Sequence, residues 1–124
     1  MNHLNNEPKL SQAMTKLAAD TLTNRLIWQP TNNLQEQAIF SRLKKRHASV
    51  LIDDLVRSYY SASSEQGISL TLTTNQAILA FHHQADFSLI TSYVIDQADF
   101  YRIENAIQKQ SDAADNALDY FLNN

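Results

Sequence analysis

The stretch HHQAD holds the residue types closest to a metal or acid–base site: His82, His83 and the carboxylate of Asp86. Imidazole and carboxylate ligands serve zinc when all of them can turn towards one point. A strand sends neighbouring side chains to opposite faces, so His82 and His83 cannot share an ion unless the strand has already ended. The pattern predicts strand-end histidines and no metal. His3 lies in a terminus expected to fray, and His47 is expected to be partly buried and hydrogen-bonded. Asp53 and Asp54 diverge by about 100° on a helix and form no carboxylate dyad. Asp53 and Arg57 have the spacing of an i,i+4 helical pair. Tyr59, Tyr60 and Tyr93 are acids with no base in view. No nucleophile, base and oxyanion donor can be named together, so neither an enzyme nor a cofactor is expected.

The second chemical feature is electrostatic. Arg42, Lys44, Lys45 and Arg46 are four of the ten basic residues of a chain whose net charge is −3. A nucleic-acid-binding regulator would use such a cluster on phosphates, though three or four contacts give a shallow salt dependence. No aromatic interleaves with these residues to stack on bases. Cations also belong in the last turn of a helix, where the carbonyl ends carry partial negative charge. The second reading is preferred, and the nucleic-acid reading is kept as the alternative.

Composition narrows the classes further. The 124 residues fit one domain, spanning 1–124 with a flexible 1–8, large enough to bury a core without disulfides. There is no cysteine, which removes thiolate nucleophiles and cysteine-based zinc sites. The chain has one glycine, Gly67, so phosphate-cradling loops and nucleophile elbows cannot be built. MNHLNNEPKL has no apolar run and no stretch is apolar enough to cross a bilayer, which predicts a cytoplasmic protein without a membrane partner. Eleven Asn and ten Gln wet the surface with amides rather than like charges, which eases association.

These residues need elements to hold them. Residues 9–24 carry Leu10, Met14, Leu17 and Ala18 at helical spacing, with Pro8 close to the first turn. Trp28 reads as a lid over that helix, and Pro30 as a stop to regular structure. In residues 32–62 the apolar stripe of Ile39, Phe40 and Leu43 is redrawn beyond Ala48 by Leu51, Ile52, Leu55, Val56 and Tyr59. Its centre rotates by about 100°, which one straight helix cannot bury. Two helices are therefore predicted, 33–46 and 50–62, with Ser49 capping the second.

After Gly67 the period becomes 2. ISLTLT, QAILAFHH and residues 87–95 read as three strands joined at Thr74–Asn75 and Gln84–Asp86. Asp96 then caps a long helix whose stripe, expected to dock on the core, runs Phe100, Ile103, Ile107, Ala114, Leu118 and Phe121, flanked by Glu104, Asp112, Asp115 and Asp119. The expected fold is α+β: N-terminal helices, a three-stranded antiparallel meander and a long C-terminal helix.

Alternation sets Ile68, Leu70, Leu72, Leu79, Phe81, Leu89, Tyr93 and Ile95 towards the helices. Ile78, Ala80, Ile90 and Val94 then form a second apolar face rimmed by serine and threonine. An apolar centre with a polar rim suits a partner surface or a homodimer face, unless the first helix covers it. The function expected is a small non-catalytic protein–protein interaction module of adaptor, chaperone, immunity or inhibitor type. It would act by occluding the surface of another protein.

Overall fold

Residues 3–49 and 52–123 are described by the computed structural model, with side chains from Pro8 onward. Helix α1, His3–Leu22, starts ahead of Pro8, which lies inside it rather than at its first turn. Met14, Leu17, Ala18 and Thr21 form its buried stripe. The helix ends where Asn24 takes φ 61°, a left-handed conformation that asparagine tolerates better than most residues.

Trp28–Pro30 form a strand, β1, and correct the expectation that Pro30 ends regular structure. β1 is an edge strand paired only to the next strand, a position where a missing N–H is tolerated. Helix α2, Asn33–Arg46, has the predicted bounds. A reciprocal cap fixes its start: Gln35 N–H donates to Asn32 Oδ1 at 2.8 Å, and Asn32 N–H to Gln35 Oε1 at 3.0 Å. Lys44, Lys45 and Arg46 occupy its last turn, as the dipole argument requires.

The predicted break after Arg46 is present, but no second helix follows among the described residues. Val50 and Leu51 lie outside them, and Leu55–Ser61 form strand β2 where Ser49 was expected to cap a helix. Tyr59 packs on one core and Tyr60 on the other. A strand with aromatic or apolar side chains towards both cores shows no period of 2, so its apolar residues imitated a helical stripe.

Strands β3 (Gly67–Thr73), β4 (Ala77–His82) and β5 (Leu89–Ile95) are the three that were expected. The sheet has five strands rather than three, antiparallel in the order β1-β2-β3-β4-β5. Helix α3, Gln97–Leu122, follows Asp96, which holds the N-cap position without a side-chain cap bond.

The sheet separates two cores. On one side α1 and α3 cover Ile68, Leu70, Leu72, Leu79, Phe81, Tyr93 and Ile95, with Trp28 among them. α1 and α3 run the same way, since Arg102 bonds Thr15 and Gln110 bonds Thr21. On the other side Ile39 and Leu43 of α2 cover Ile52, Tyr60, Ile78 and Ala80. Leu89 also packs on the α2 side, against the expected alternation. The cause is a β-bulge between Phe81 and His82, which slips the register by one residue and moves Leu89 across the sheet.

Candidate interaction site

The four residues assigned to a second sheet face divide into two pairs. Ile78 and Ala80 are fully buried beneath α2, so they are not open to a partner while that helix is docked. Ile90 and Val94, on the edge strand β5, remain 37% and 38% exposed. The cover is α2 rather than the first helix.

The two histidines of HHQAD are separated as strand geometry requires. His82 is fully buried and His83 exposed. His82 Nδ1 lies 3.1 Å from the Phe87 carbonyl and its Nε2 lies 2.7 Å from Ser69 Oγ. A carbonyl only accepts, so Nδ1 carries the proton and Nε2 accepts the serine hydroxyl. Burial lowers the pKa of His82, outweighing the opposing bond to the Phe87 carbonyl, with the charge of Arg42 adding to the lowering. The Phe87 carbonyl is presented from a left-handed residue, φ 62°. This Ser–His pair is a buried polar strut between strands. Among the described residues no three His, Asp or Glu side chains gather as a metal would need.

His47 follows α2 and places Nε2 2.7 Å from Ser92 Oγ on β5, half-buried and hydrogen-bonded as expected. Its pKa is lowered, first by burial and then by Arg46. Within the basic cluster, Arg42 donates to the carbonyls of Ala38 at 3.3 Å and Asp86 at 2.9 Å. Lys44 lies 5.4 Å from the centre of the Phe40 ring. Lys45 and Arg46 are exposed, beside a cleft that they share with Arg42 and Leu89.

Arg57 makes no helical pair with Asp53. It crosses from β2 to α3 as a two-pronged pair with Glu104, at 2.6 and 2.9 Å. Tyr59 donates to the same carboxylate at 2.6 Å. Burial works to raise the Glu104 pKa, but the bonds from Arg57 and Tyr59 and the charge of Arg57 outweigh it and lower it. The Tyr59 hydroxyl is pushed up to about 12, by burial first and then by its bond to Glu104. The network clamps α3 to the sheet. Gly67 is needed for packing: a Cβ there would run into the Tyr60 phenol, which covers the strand at that point.

The stripe on α3 was expected to be buried along its whole length. Phe100 and Ile103 are fully buried and Ile107 nearly so, but Leu118 is 57% and Phe121 76% exposed. Every residue of α3 from Ser111 onward is exposed. The reason is geometric. Lys109 shares a cleft with Leu22, where α1 ends, and α3 continues beyond the end of its neighbour. Gln110 ties the helix down just before that point. Its Nε2 donates to the Leu26 carbonyl at 2.7 Å and the Thr21 carbonyl at 2.9 Å, and its Oε1 accepts from Trp28 N–H at 3.3 Å. Sequence reasoning named Leu118 and Phe121 but assigned them to the core.

No helix among the described residues is long and apolar enough to cross a membrane. Comparison with known proteins returns no match to a family, a curated protein or a solved structure.

Proposed function

We propose that this chain is a non-catalytic protein–protein interaction module that docks another protein through the C-terminal half of α3. The observation that carries the reading is the exposure of Leu118, Phe121 and Leu122 on a regular helix whose first half is firmly packed. Ala114, Leu118 and Phe121 stand at i, i+4 and i+7, the spacing of anchors on a helix that lies in an apolar groove. Asp112, Asp115 and Asp119 line the adjoining flank, so the partner groove should be apolar with a basic rim. Burying the stripe would recover about 25 cal/mol per Å² of apolar area, and the carboxylates would select the partner and set the orientation.

The test is a double variant, Leu118→Asp with Phe121→Asp, compared with wild type as bait in extract of the native host. Both should show the same circular dichroism and denaturant midpoint, because the altered side chains are in water. Wild type should retain one protein at high salt that the variant loses, and a peptide of residues 108–123 should release it. Equal retention by both baits would overturn the reading. Binding to heparin or DNA that collapses with salt would instead favour the alternative carried by Arg42, Lys44, Lys45 and Arg46.

A further inference from the structure

The cleft that Lys109 shares with Leu22 is one end of a longer groove between α1 and α3. Thr15, Ala19 and Leu22 line it from α1, and Tyr101, Arg102 and Lys109 from α3, all of them exposed. Leu22 is 54% and Tyr101 45% exposed, so two large apolar side chains in the groove lack cover. Among the described residues no carboxylate lines the groove, and neither Arg102 nor Lys109 has an ion-pair partner. The α3 tail is the converse. Its exposed stripe runs beside Asp112, Asp115 and Asp119, with no cation between Ser111 and Leu122 and no ion pair among the described residues.

Resting on the reading of that tail as a docking helix, we propose that it lies in the α1–α3 groove of a second copy of this chain. Charge matches: three carboxylates without a cation meet two cations without a carboxylate, at the rim of an apolar groove. Length matches too. The groove follows α3 from Ala98 to Lys109, twelve residues, and the tail is the twelve residues from Ser111 to Leu122. At 1.5 Å per residue each is about 18 Å long. Spacing matches as well, since Arg102 and Lys109 stand seven residues apart and so do Asp112 and Asp119. Two helical turns separate the members of each pair, so a tail lying along the groove can form both ion pairs at once. The tail cannot reach the groove of its own chain, because both belong to one unbroken helix. Lys109 and Leu118 are nine residues apart, about half a turn around the helix, so straight helices cannot exchange tails reciprocally. A copy that receives a tail therefore still offers its own elsewhere, and the assembly grows head to tail.

The test reads mass by sedimentation velocity at low salt, up to a concentration on the order of 100 μM, where a weak contact of this size is populated. Wild-type mass should rise with concentration past that of a dimer. A tail variant, Leu118→Asp with Phe121→Asp, and a groove variant, Leu22→Asp with Lys109→Glu, should each be monomeric with unchanged circular dichroism. Mixed in equal amounts, the two variants should form a one-to-one complex and nothing larger, because the pair holds one working tail and one working groove. A gentler groove variant, Arg102→Gln with Lys109→Gln, adds no charge and removes two ion pairs. It should raise the concentration needed for assembly roughly tenfold. A monomeric wild type, a dimer as the largest species, a variant that assembles like wild type, or a mixture that stays monomeric would each overturn the proposal. A monomeric wild type whose bait still captures a host protein that the tail variant releases would overturn the second copy alone and leave the docking role of the tail standing. A monomeric wild type with equal capture by both baits would overturn both.

Discussion

Gln97–Gln110 and Ser111–Leu122 belong to one unbroken helix and carry one apolar stripe, yet only the first half buries it. In the first half Phe100 and Ile103 are sealed between α1 and the sheet, Glu104 is clamped by Arg57 and Tyr59, and Gln110 grips the α1–β1 connection. In the second half Leu118 and Phe121 meet water. At 1.5 Å per residue, the twelve exposed residues extend about 18 Å past the end of α1. The contrast teaches that amphipathicity specifies which face of a helix needs a partner, while the length of the neighbouring element decides how far one is supplied.

The contrast is most easily broken with matched truncations. Phe100→Ala should lower stability by about 3–5 kcal/mol, the cost of emptying a core site of that size. A denaturant midpoint unchanged from wild type would mean that the first half is not docked. Gln110→Ala removes the donor of two carbonyl bonds and should cost about 1–3 kcal/mol, measured the same way, because it leaves the Thr21 and Leu26 carbonyls short of a partner.

Acid should act on the packed body. The folded-state pKa of His82 lies below its ordinary value, so near pH 6 the unfolded chain binds more protons than the folded one. The stabilisation is complete above the unfolded value of about 6.5 and is lost as pH falls through and below it. His47 shifts in the same direction, first through burial. Denaturant midpoints at pH 7.5 and 5.5 should fall in wild type, and fall less in His82→Gln. An equal fall would remove His82 from the account. The smallest effect belongs to the tail: Phe121→Ala should change stability by less than about 0.5 kcal/mol. A loss comparable with that of Phe100→Ala would place the tail in the core and erase the comparison.

The parts of the fold legible in the sequence are those whose two faces differ in chemistry. β3 alternates Ile and Leu with Ser and Thr, so its period survives even though every residue is buried. β2 has a tyrosine facing each core, and that symmetry erased its signal. β1 was hidden by Pro30, a stop signal everywhere except at a sheet edge. The end of α2 was legible because its stripe rotates where the chain turns away. The reciprocal cap at its start, Asn32 with Gln35, was missed, although the spacing of three is the signal that could have found it.

Of the candidate surface, Ile90 and Val94 were legible as apolar residues needing cover. That α2 would take Ile78 and Ala80 was not, because a stripe carries no address. The exposed end of α3 was the least legible of all. Its pattern matches that of the buried half, and what separates them is the ending of α1 at Leu22.

The pairing of α1 with α3 has a consequence for the order in which the chain folds. Strands β2 to β5 follow one another across short connections, so their hairpins can form and zip with little loop-closure entropy. The bonds that tie α3 to α1 and β1 instead join residues 82 to 89 positions apart, such as Trp28 with Gln110 and Thr21 with Gln110. These contacts close the largest loop in the molecule and gain most once the sheet is already there to bring its flanks together. If the meander is the folding nucleus and the helix pair its latch, weakening the latch should speed unfolding and leave the folding rate nearly unchanged, as read from the two limbs of a chevron plot.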